Sequence, residues 1–148
     1  MRLGKTYFYP IEVQFEDIDG GGVVHHPQYL KYYERARNQA GREEGFSHND
    51  FIKEGFALAV VSAQIHYKKP AIVEQKLWII TRLISFTHTS LFLHQALLNE
   101  KPASLGEDFL SFTGVINTLE IRLACMDLHK KKACPIPIKI KEIFSLKS

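Results

Sequence analysis

The spacing of apolar positions changes character along the chain and predicts its elements. Tyr7–Glu16 mixes aromatic and β-branched residues and reads as a strand, with Pro10 near its start. Asp17-Ile18-Asp19-Gly20-Gly21-Gly22 follows as a dense turn signal. From Pro27 the period becomes helical: Tyr29, Tyr33, Ala36 and Ala40 form one stripe, while Lys31, Glu34, Arg35, Asn38 and Arg42 occupy the other faces. Pro27 suits the first turn of this helix, where a missing N–H costs nothing, and the helix is predicted to end near Gly45. A shorter helix over Asn49–Glu54 follows, with Ser47 or Asn49 as its cap.

Past Gly55 the period becomes two. Val61, Ala63, Ile65 and Tyr67 alternate with Ser62, Gln64, His66 and Lys68, which predicts a half-buried strand that Pro70 interrupts. Lys76–Phe86 and Ser90–Asn99 are two more strand-like runs, separated by Thr87-His88-Thr89. Glu100–Asp108 reads as a loop and Phe109–Met126 as a long β-rich segment. Pro135 and Pro137 stop regular structure, and Ile138–Phe144 forms a short terminal helix. One long helix followed by antiparallel strands predicts an α+β layer, a sheet wrapped on one helix. A parallel doubly wound sheet needs helices between its strands, and the pattern has none.

Composition narrows the function. With 148 residues, 45% of them apolar and 24% charged, the chain has the make-up of a single globular domain. No apolar stretch approaches the ~20 residues that span a bilayer. Met1-Arg2-Leu3-Gly4-Lys5 leads into no apolar signal segment, so a cytoplasmic location without membrane insertion is expected. A net charge of +3 is too mild to predict nucleic-acid binding. The excess sits in a basic tail from about residue 129, where His129–Ser148 holds six lysines and one acid, Glu142. Such a run is commonly a solvated terminus, and it also suits a polyanionic ligand. Cys125 and Cys134 have neither the spacing nor the company of a zinc site or disulfide framework, and read as idle thiols. No metal or cofactor is expected.

Candidate chemistry concentrates in Phe15–Arg37. Two carboxylates and three glycines follow a strand and precede a helix N-terminus, where unpaired N–H groups and the helix dipole favour negative charge. An oxygen that gains charge during acyl transfer fits there, and a neighbouring carboxylate can attack the acyl carbon or activate water. Glycines let a flat thioester or ester lie on the backbone. Asp-x-Asp-Gly is also common turn chemistry, with both side chains capping their own backbone, and spacing alone favours that reading. A calcium loop would need ligands at later positions, and these are missing.

The run Glu16-Asp17-x-Asp19-x-x-Gly22-Val23-Val24-x-His26-x-x-Tyr29-Leu30-x-Tyr32-x-Glu34-Arg35-Ala36-Arg37 resembles the signature of hotdog-fold acyl-CoA thioesterases of the 4-hydroxybenzoyl-CoA thioesterase and YbgC type. The likeness continues through Ile65-His66-Tyr67-Lys68-Lys69-Pro70-Ala71 and Thr89-Ser90-Leu91-Phe92, covering residues from about 10 to 125. It implies one hotdog domain over 1–148, a curved antiparallel sheet of about five strands around one long helix. It also implies a homodimer or homotetramer with acyl-CoA sites between subunits.

On this resemblance Asp19 is the catalytic nucleophile or general base, and Asp17 fixes the turn. The backbone N–H at His26, beside Pro27, polarises the thioester carbonyl, and the His26 side chain sits near the acyl group. Gly22, His25 and Pro27 line the substrate, and Thr89 or Ser90 bonds the carboxylate or a water across the dimer. Tyr29 and Tyr33 pack in the core, while Glu34, Arg35 and Arg37 form helix-surface or interface pairs. Lys130–Lys132 or Lys68-Lys69 is a candidate anchor for the phosphates of coenzyme A. The chain departs from the pattern at Phe15, where many relatives have tyrosine, at Gln28, where asparagine is usual, and at His25, usually aromatic. Hydrolysis of acyl-carrier-protein thioesters and acyl-thioester binding with little catalysis are the other functions this pattern allows. A hotdog dehydratase, with its histidine and acid differently arranged, fits less well.

Overall fold

The computed structural model describes residues 5–102 and 114–144. β1 (Thr6–Glu12) is followed by a single 3-10 turn (Phe15–Asp17), the long helix α1 (His26–Glu43) and the short helix α2 (His48–Lys53). β2 (Phe56–Tyr67), β3 (Lys76–Phe86), β4 (Ser90–Leu98) and β5 (Val115–Asp127) build the sheet. A two-residue strand β6 (Lys132–Ala133) pairs with the end of β5, and α3 (Ile138–Phe144) follows. The order across the sheet is β1-β3-β4-β5-β2, with every pairing antiparallel. The α+β expectation therefore holds, with five long strands and one short one among the described residues.

Period-two alternation sorts the strand residues between two faces. Leu77, Ile79, Leu83, Leu91, Leu93, Leu97, Leu119, Ile121 and Leu123 pack with Tyr29, Tyr32, Tyr33, Ala36 and Ala40 of α1 in the main core. On the opposite face Ile80, Ala96, Leu98 and Val115 form a smaller cluster with Phe8 against it. The helical stripe is thus the buried face of α1. Polar bonds add register: Tyr33 donates its hydroxyl to the Asn117 carbonyl at 3.1 Å and to its side-chain oxygen. Gln95 Nε2 donates to the Tyr33 carbonyl at 3.1 Å and to Thr81 Oγ1 at 2.9 Å, while Arg37 donates to Gln95 Oε1 at 2.9 Å. Gly45, at φ +81, takes the left-handed conformation that ends α1, and Ser47 caps α2 by accepting from the Asp50 N–H at 3.1 Å.

Three expectations need correction. The first strand stops at Glu12 rather than Glu16, because Gln14 and Asp17 bond each other and roll the chain into the 3-10 turn. Arg37 is not a surface residue: it is half-buried and bonded to Gln95 of β4. β2 is a strand but not a half-buried one; Val60, Val61 and Tyr67 are all more than half exposed, since β2 ends the sheet and pairs only with β5. Most of the expected 100–108 loop and the first residues of the 109–126 segment lie outside the described residues.

Candidate active site

The loop from Gln14 to His25 is closed by its own backbone. Asp17 N–H donates to the Gln14 carbonyl and His25 N–H to the Asp17 carbonyl, while Ile18 pairs with Val24. Inside that frame Asp19 N–H donates to the Val23 carbonyl at 2.9 Å and Gly22 N–H to the Asp19 carbonyl at 3.1 Å. Gly22 sits at φ +82, which a side chain would strain, so this glycine is required by the turn. A second layer ties the loop to the segment between β2 and β3: Val24 N–H donates to the Ala71 carbonyl, and Val23 pairs with Ile72.

The two aspartates are treated differently by this frame. Asp17 is buried and accepts the Tyr32 hydroxyl at 2.7 Å and the Gln14 N–H at 3.0 Å on one oxygen. Burial, then the bond to Asp17, pushes the Tyr32 phenol far above its ordinary range, so Tyr32 remains a donor. Asp17 therefore anchors the loop to α1. Asp19 is exposed, with Oδ1 accepting the Gly21 N–H at 2.8 Å and Oδ2 lacking a partner among the described residues. Burial is the main reason the Tyr29 phenol is raised; the Ala71 N–H that donates to it opposes this, and Tyr67 and negative Asp19 add to it.

His26 is the first residue of α1, and its N–H has no acceptor among the described residues. His25 precedes it without capping the helix, and Pro27 sits in the first turn. The two histidine rings are exposed and 5.1 Å apart, tilted by 60°. The structure therefore holds Asp19, Gly22 and His25 in a surface loop that runs directly into His26 and Pro27 in the first turn of α1. It does not enclose them. A cavity of about 350 Å³ lies toward the other end of α1, between Arg37, Phe46, Leu58, Val60, Leu123 and Ile140. The 15 positions from His26 to Gly41 correspond to about 22 Å of helix.

Thr89 and Ser90 do not join the loop within one chain. Asp19's loop is tied to Ala71 and Ile72, just past the Tyr67 end of β2; Tyr67 pairs with Asn117, whereas Ser90 pairs with Ala124, seven positions or about 23 Å further along β5. Ser90 is fully buried on the sheet face opposite α1, accepting from Arg122 Nε at 3.1 Å. Alternation of β4 accounts for this: Leu91 and Leu93 claim the helix side, so Ser90 and Phe92 take the other. Sequence reasoning missed the Tyr32–Asp17 bond and the Arg37–Gln95 bond, both contacts between elements distant in the chain. Among the described residues no three His, Cys, Asp or Glu gather as metal ligands, and no helix is long and apolar enough to cross a membrane.

Residues 13–144 match the model of the thioesterase-like superfamily. The chain is 32% identical over 139 residues to the acyl-CoA thioester hydrolase YbgC of Escherichia coli O6:H1, covering 93% of this chain and 96% of that protein. It is 27% identical over 143 residues to the acyl-CoA thioesterase YbgC of Haemophilus influenzae, covering 96% of each. Among solved structures, Slr0204, a 1,4-dihydroxy-2-naphthoyl-CoA thioesterase from Synechocystis, superposes with a TM-score of 0.79 at 23% identity, covering 94% of this chain and 95% of that one. A sheet curled on one helix, an Asp-Ile-Asp loop at the helix head and these matches agree: the chain belongs to the thioesterase-like superfamily, as a hotdog-fold thioesterase of the YbgC kind.

Proposed function

We propose that the chain hydrolyses acyl-CoA thioesters to a free acid and coenzyme A, with Asp19 as the catalytic carboxylate. The observation that carries this reading is the division of labour in the loop. One aspartate is buried and committed to Tyr32, while the other is exposed in the loop that leads into α1 and has one oxygen with no partner among the described residues. In the proposed reaction the His26 N–H and the helix dipole take up the charge that develops on the carbonyl oxygen. Asp19 either attacks the acyl carbon, to give an anhydride that water opens, or takes a proton from the attacking water. Coenzyme A leaves as the thiol in both courses. Gly22, His25 and Pro27 line the path of the thioester, and the imidazole of His26 faces the acyl group.

A second copy completes the site in this reading. β2 is a 12-residue edge strand with its outer side exposed, the kind of edge that invites pairing with another chain. Pairing two β2 strands antiparallel about a two-fold axis lays the Tyr67 end of one along the Phe56 end of the other. The Asp19 loop belongs to the first end and the cavity lined by Leu58 and Val60 to the second. The acid of one copy then meets the apolar cavity of the next, which receives the acyl group.

The test is thiol release from a panel of aliphatic and aromatic acyl-CoAs, and from an acyl-carrier-protein thioester, by the native chain and by Asp19→Asn. Asp19→Asn is expected to lower kcat by about 10²–10⁴ while its circular dichroism spectrum and oligomeric state stay unchanged. Full turnover in that variant overturns the role of Asp19. Tight binding of acyl-CoA without thiol release by the native chain overturns the enzymatic reading.

A further inference from the structure

The two cysteines sit opposite each other at the end of the sheet. Asp127 shapes the turn after β5: its Oδ1 accepts the N–H groups of His129 and Lys130, both at 3.0 Å, and Lys131 takes the left-handed φ of 55 that reverses the chain. The returning strand pairs Asp127 with Lys132 and Met126 with Ala133. Continuing the register sets Cys125 against Cys134, and Cys134 N–H donates to the Cys125 carbonyl at 2.9 Å. The two sulfurs are 3.3 Å apart. Facing residues of an antiparallel pair have Cα atoms about 4.5–5.5 Å apart, inside the ~4.4–6.8 Å range a disulfide accepts.

We propose that Cys125 and Cys134 form a reversible dithiol–disulfide site that clamps the C-terminal segment to β5. Cys134 is partly exposed and reacts first; Cys125 is buried, and burial together with its neighbour Cys134 holds its thiol up at about 12. The Cys134 thiolate attacks one sulfur of a low-molecular-weight disulfide and expels the first thiolate, leaving a mixed disulfide. The Cys125 sulfur then attacks the Cys134 sulfur, forming the Cys125–Cys134 bond and expelling the second thiolate. Two protein thiols are oxidised, one small disulfide is reduced to two thiols, and the two cysteine protons end on those leaving groups.

The clamp acts on a segment that matters for packing. Beyond Cys134, Ile136 donates its N–H to the His88 carbonyl at 2.9 Å, and Ile136 and Ile140 are both buried in the main core. Ile140 also lines the cavity beside α1, as does Leu123, two residues before Cys125 on the same face of β5. Closing the bond staples the wall that carries Ile140 to the strand that carries Leu123.

The experiment treats the full chain with oxidised glutathione, quenches with a maleimide and weighs the intact protein. The chain has only two cysteines, so the reading is direct. A product lighter by two hydrogens that takes up no maleimide is expected, and dithiothreitol is expected to restore two reactive thiols. Cys125→Ser is expected to stop at a glutathione adduct on Cys134. Cys134→Ser is expected to stay unmodified, with its one thiol protected. The oxidised form is expected to melt several degrees higher than the reduced form, through about 5 °C or more, and to resist proteolysis between residues 135 and 144. Two free thiols, a stable glutathione adduct in the native chain, or disulfide-linked dimers overturn the site. An oxidised monomer that melts no higher than the reduced one overturns the clamp.

Discussion

At the scale of single residues, the loop assigns opposite fates to two like side chains. Asp17 is buried and held by Tyr32 and Gln14, so its loss leaves a buried hydroxyl and a part-buried amide without their acceptor. Asp17→Ala is expected to lower the unfolding free energy by about 2–3 kcal/mol, and Tyr32→Phe by about 1–2 kcal/mol, in urea titrations. Asp19→Asn, on an exposed side chain, should leave the same titration within about 0.5 kcal/mol. A large stability loss at Asp19, or none at Asp17, contradicts the division of roles. That Asp17 shapes the turn was legible from its place in the motif. Its tether was not, because Tyr32 lies beside Tyr33 in the chain and only the packing of α1 turns one toward the loop and the other toward Asn117.

At the scale of elements, periodicity located α1, α2 and the strands because burial faces repeat at 3.6 and 2 residues. It failed for the surroundings of β2. Alternation at Val61, Ala63, Ile65 and Tyr67 identifies a strand, but exposure depends on what lies beyond the sheet edge, and one chain places nothing there. The bulge between Val60 and Ser62 breaks the register with β5 in the middle of that strand, a feature no alternation pattern announces. In the proposed pairing, charges along the edge repel across the two-fold axis. Val61→Lys combined with Ala63→Lys is therefore expected to shift sedimentation from dimer to monomer and to cut thiol release at least tenfold. A monomeric native chain with full turnover refutes the shared site.

For the molecule as a whole, a net charge of +3 conceals two lysine groups at opposite ends of β2. Lys68 and Lys69 follow its last residue, beside the Asp19 loop, and both donate their N–H to the Ile116 carbonyl. Lys130–Lys132 lies where β5 turns into β6, beyond the Asp127 that pairs with Phe56. Phosphate recognition through such exposed cations weakens as salt screens it, with a Debye length of about 10 Å at 0.1 M. Reversing Lys68 and Lys69 to glutamate is expected to raise KM for acyl-CoA several-fold at low ionic strength, with the difference shrinking in 0.5 M salt, on the order of a 4 Å screening length. An unchanged KM removes that pair as the anchor and turns attention to Lys130–Lys132.

The sheet also has unequal margins. Along β1 the outermost strand carries an exposed Pro10 at mid-length, facing Trp78, and proline offers no N–H for a further strand. Ladder growth is thereby blunted on that flank, which leaves β2 as the open margin among the described residues. In the proposed pairing, a sheet extended on one flank alone accepts a single neighbour and then stops, which favours a finite, closed particle over fibrous stacking.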